Sequence, residues 1–68
     1  MGFSKKLIKQ YGEQTYRDSK RGHSYEDAAW SSVYVAEGCG EIESKDESKF
    51  HKAIVKFAKT TKFPKNFI

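Results

Sequence analysis

Residues 44–62 read SKDESKFHKAIVKFAKTTK, and this stretch decides the fold class. Ser44 and Glu47 have the spacing of a capping box, in which the serine hydroxyl accepts from the Glu47 amide and the Glu47 carboxylate reaches back to the Ser44 amide. Asp46 and Glu47 fall in the first turn and Lys56, Lys59 and Lys62 in the last turns, as the helix dipole favours. Phe50, Ala53, Ile54, Phe57 and Ala58 recur at three- and four-residue steps and form one apolar stripe. Lys45, Lys49, Lys52, Lys56 and Lys59 follow the same steps on the opposite face. The segment is therefore an amphipathic helix with a core face and a lysine face.

Downstream, Pro64 pushes Phe63 out of helical geometry, which ends this helix near Lys62. The tail then places Phe63, Phe67 and Ile68 within six residues. It is expected to fold back over the core, with docking into another chain as the alternative. Upstream, Gly38-Cys39-Gly40 reads as a turn, and Ile42 in the connector points to the core. Ser24 can cap a helix that carries Glu26 and Asp27 in its first turn and stops at Gly38, a natural left-handed terminator. Tyr25, Ala29, Ser32, Val33 and Ala36 share one face of that helix, while Trp30 and Tyr34 share another. Ser32 to Val35 is strand-prone, but it lacks strict alternation and its flanks favour helix. At the N-terminus Ser4 can cap a first helix, with Phe3 and Ile8 as a hydrophobic staple. Gly12 costs about 1 kcal/mol relative to alanine in a helix interior. The pattern nevertheless continues to Lys20, with Gly22 as terminator.

These readings give an all-α domain of three helices over roughly 4–20, 25–37 and 45–62, in one unit spanning residues 1–68. The expected core is Leu7, Ile8, Tyr11, Ala29, Val33, Ala36, Ile42, Phe50, Ile54 and Phe57. A chain of this size buries only about 60% of its unfolded surface, so its stability is modest and self-association is an ordinary way to add burial. One cysteine, Cys39, allows no internal disulfide, and Cys39, His23 and His51 do not have the spacing of a zinc set. No metal or cofactor site is expected. The chain lacks an apolar run long enough for a membrane span and lacks a signal-peptide core. Gly2 is not followed by the Ser or Thr of a myristoylation motif, since Lys6 occupies that place. A complete, soluble, cytoplasmic product is the expectation.

The net charge of +4 conceals segregation. Residues 1–24 hold six Lys/Arg against two acids, residues 25–48 one lysine against seven acids, and residues 49–68 six lysines and no acid. A uniform polyanion binder does not usually place an acidic middle between basic ends. Oppositely charged segments lying side by side in the fold would produce the same pattern.

Three functional classes can be weighed on these residues. Catalysis has little support. Cys39 lies near Glu37 and Glu41, which disfavour a thiolate, and the paired acids Glu41/Glu43 and Asp46/Glu47 lack a buried setting. No phosphate loop or nucleophile elbow is present. Nucleic-acid binding has candidates in Arg17, Lys20, Arg21, Lys45, Lys49, Lys52, Lys56 and Lys59, which could neutralise phosphates. The lysine stripe lacks the Arg, Asn or Gln that read base edges, so such binding would be sequence-nonspecific, and the solvated face of an amphipathic helix looks the same. Protein binding has Tyr16, Trp30, Tyr34 and Phe67, because ten aromatics in 68 residues exceed what so small a core needs. The leading expectation is a non-catalytic adaptor, inhibitor or regulator of a larger protein, of the kind phages encode. A small basic nucleic-acid-binding protein is the alternative.

Overall fold

The structure, a computed structural model, describes residues 3–67. Helices α1 (Lys5–Ser19), α2 (Tyr25–Gly38) and α3 (Glu47–Thr60) follow in order, and a single 3₁₀ turn over Ser44–Asp46 leads into α3. The expectations placed on Gly2 and Ile68 lie outside the described residues.

Two of the three serine caps form as the sequence implies. Ser4 Oγ accepts from the Leu7 amide at 3.1 Å, and Ser24 Oγ accepts from the Asp27 amide at 3.1 Å. The third does not. Ser44 Oγ instead donates to the Glu37 carboxylate of α2, and α3 begins three residues later behind Asp46, with no side-chain cap. The capping box is absent because a tertiary partner takes the serine hydroxyl. At its other end α3 stops at Thr60 rather than Lys62. The Thr60 hydroxyl donates to the Lys56 carbonyl at 2.7 Å, and Thr61 turns extended, which suits a β-branched pair at a helix end.

The end of α2 also differs in detail. Gly38 remains helical, and the left-handed residue is Gly40 at φ +78°. The Glu41 amide donates to the Ala36 carbonyl at 2.9 Å and the Gly40 amide to the Glu37 carbonyl at 3.0 Å, the paired bonds of a Schellman stop. Its alignment explains the shift: Gly40, not Gly38, occupies the position that needs positive φ.

The helices run up, down and up. Tyr11, Gly12 and Tyr16 of α1 meet Phe50, Phe57 and the tail's Phe63 in rising order. In α2, Glu26 faces Lys59 near the end of α3, and Glu37 faces Ser44 just before its start. Tyr11, Ala29, Val33, Ala36, Ile42, Phe50 and Ile54 form the buried core. Leu7 and Ile8 pack against its edge, half-buried. Phe57 departs from the expectation of a core centre and is half-buried, because it fills the seam between α1 and α3 under the tail.

Helix α1 passes through Gly12 for a tertiary reason. A Cβ built there would lie 2.9 Å from Phe57 Cγ and closer still to Cδ1. Glycine is what lets the ring reach the α1 backbone. One turn further along α1, buried Thr15 donates to the Tyr11 carbonyl at 2.8 Å and meets the buried Ser32 hydroxyl at 3.1 Å. This polar pair holds α1 on α2, and neither hydroxyl lacks a partner.

Candidate functional site: the aromatic face of helices two and three

The inner face of α2 is the one its spacing implies, with Ala29, Ser32, Val33 and Ala36 buried. Tyr25 is only half-covered. Trp30 is therefore carried to the rim, where it faces α3. Its ring stacks on His51 at 4.1 Å between centroids and 22° between planes. Tyr34 also lies near-parallel to the Trp30 ring, 5.9 Å away at 26°. Tyr34, Trp30 and His51 form a ladder of near-parallel rings across the α2–α3 seam. Trp30 is half-buried within it, while Tyr34 is 58% exposed.

His51 is fixed from both sides. Its Nε2 lies 2.9 Å from the Glu26 carbonyl. A carbonyl only accepts, so that nitrogen carries the proton. The Glu26 carboxylate in turn accepts from Lys59 Nζ at 2.9 Å, and this hydrogen bond, with the lysine's charge, holds its pKa below the usual carboxylate value. Beside the ladder, Glu26, His51, Lys52, Val55, Lys56 and Lys59 line an open groove of about 520 Å³. Val55 packs against the core, and lysine stems can extend the apolar wall while their ammonium groups stay in water.

The remaining interface candidates lie elsewhere. Tyr16 stacks on Phe63 at 4.0 Å and meets Phe67 at 5.8 Å. The tail has folded back on α1, closed by a turn in which the Phe67 amide donates to the Pro64 carbonyl. Both rings are half-buried in this internal cluster.

The cations are divided among several settings. Arg17 lies over the Phe67 ring at 4.8 Å and Lys20 over Tyr16 at 5.0 Å. Arg21 approaches Asp18 at 3.9 Å, and Lys45 pairs with Glu43 at 3.2 Å. Lys49, Lys52 and Lys56 are exposed, and among the described residues no carboxylate comes within ion-pair distance of them.

A second groove, of about 460 Å³, runs between α1 and α2 and is lined by Gln10, Tyr11, Gln14, Ser31, Val35 and Cys39 among others. Val35 is 56% exposed there. Burial, with the Glu41 carboxylate and Cys39 nearby, pushes the Tyr11 phenol above its ordinary pKa, so the phenol stays protonated rather than acting as a base. Among the described residues no group of three His, Cys, Asp or Glu gathers as a metal site. No helix among them is long and apolar enough to cross a membrane.

Sequence spacing alone did not single out His51 as a member of the ladder. The signal was present: His51 and Val55 are one turn apart, in a row beside the Phe50/Ile54 stripe. Thr15 was missed as well, since its partner lies on another helix. Comparison with protein-family models, with curated proteins and with solved structures finds no match to this chain.

Proposed function

We propose that the chain is a small non-catalytic binding module of the cytoplasm, acting as an adaptor, inhibitor or regulator, and that it engages a larger protein through the Tyr34–Trp30–His51 face. The observation that carries this reading is an exposed tyrosine next to a tryptophan stacked on His51, a residue that also lines an open groove. Interfaces favour such rings because they offer large area at little conformational cost. Tyr16 and Phe67 serve the partner indirectly, by fixing the tail.

Polyanion binding through Lys49, Lys52 and Lys56 is the competing reading, favoured by their having no carboxylate partner among the described residues. Capture from native lysate with the parent and with Tyr34→Glu separates the two. A protein retained by the parent after nuclease treatment, and lost with Tyr34→Glu, is the expected result. Retention of nucleic acid alone, equal for both chains, overturns the proposal.

A further inference from the structure

We propose that the occupant of this face is an acidic amphipathic helix of the partner, a reading that rests on the protein-binding function above. Lys52 and Lys56 stand one helical turn apart on the groove wall, exposed and without a carboxylate among the described residues. Two carboxylates one turn apart on a facing helix have the same spacing and match them. An apolar side chain from that helix would enter the groove against Val55 and beside His51, whose ring stacks on Trp30. This is the helix-in-groove mode of recognition, with charge setting direction and partner choice.

Charge also argues against two other occupants. A second copy docked face to face about a twofold axis would bring lysine-bearing walls together, which is repulsive. Among the described residues lining the groove, a nucleic-acid strand would find only these two cations without a carboxylate partner, too few to follow its backbone. An acidic helix needs no more than two cations and gains from the apolar floor.

The test uses three synthetic helical peptides of about four turns with the same leucine anchors. They carry Glu, Gln or Lys pairs one turn apart, and a single-stranded oligothymidine serves as a fourth probe. Trp30, the single tryptophan, reports occupancy by a blue shift and protection from quencher. The Glu peptide is expected to bind, to weaken with salt, and to lose about tenfold in affinity to the Lys52→Glu/Lys56→Glu variant. Both positions are exposed, so folding should persist, as far-UV circular dichroism would verify. Equal binding of the Gln or Lys peptide overturns the acidic assignment while leaving protein binding at this face intact. Tighter binding of the oligonucleotide overturns both. Failure of every probe to shift Trp30 overturns the helix-in-groove assignment alone, since the capture experiment with Tyr34→Glu tests the wider reading independently.

Discussion

Gly12 shows how a single residue can be read two ways. In a helix interior alanine is favoured over glycine by about 1 kcal/mol, so Gly12→Ala should stabilise α1 taken alone. In the folded chain the new methyl meets the Phe57 ring, and overpacking of that kind typically costs about 1–3 kcal/mol. The tertiary term is the larger, so Gly12→Ala is expected to be destabilising by up to about 2 kcal/mol in urea unfolding. Adding Phe57→Leu should recover part of the loss, because residues in contact couple. A Gly12→Ala chain more stable than the parent would mean that the ring moves aside freely. The sequence marked Gly12 as costly and Phe57 as apolar. It could not show that the two explain each other, since they are distant in the chain and nothing local links them.

Among the elements, legibility follows how local the stabilising contact is. The caps of α1 and α2 lie within three residues of the amides that donate to them, and both were readable from Ser4 and Ser24. The start of α3 was not, because the Ser44 hydroxyl goes to Glu37 of another helix. Ser4→Ala and Ser24→Ala should each cost about 1 kcal/mol, with little dependence on pH. Ser44→Ala should behave differently. Glu37 is held below its ordinary value first by the Ser44 hydroxyl and then by a hydrogen bond with Glu47. A lowered carboxyl pKa contributes stability above the ordinary glutamate range and loses it as pH falls through the lowered value. Glu47, raised by its hydrogen bond to Glu37 and by burial, contributes in the opposite sense, below that range. The difference between Ser44→Ala and the parent should therefore be largest above the ordinary glutamate pKa and shrink towards acid. Denaturant midpoints measured across pH check this, and a gap that persists undiminished in acid would rule out the Glu37 contact as its source.

At the scale of the molecule, the all-α class and the order of the helices followed from periodicity and punctuation. The aromatic ladder did not, because it is assembled from two helices whose mutual rotation only packing decides. The tail belongs with the ladder in this respect. Phe63 and Phe67 pack on Tyr16 and Phe57 from outside the helical core. Truncation after Lys62 should cost about 2 kcal/mol or more from lost apolar burial, a large share of what so small a domain has. Thermal melting followed by far-UV circular dichroism measures it, and an unchanged midpoint would show that the tail contributes nothing to stability. The same folding-back has a geometric consequence. The described chain enters at Phe3 against Phe50 and leaves at Phe67 against Tyr16, near opposite ends of α1. Roughly 20 Å of α1 separates Phe3 from Tyr16, so a circular permutant would need a linker of at least about six extended residues. Copies fused head to tail would carry the aromatic face on every repeat, turning weak single contacts into avidity.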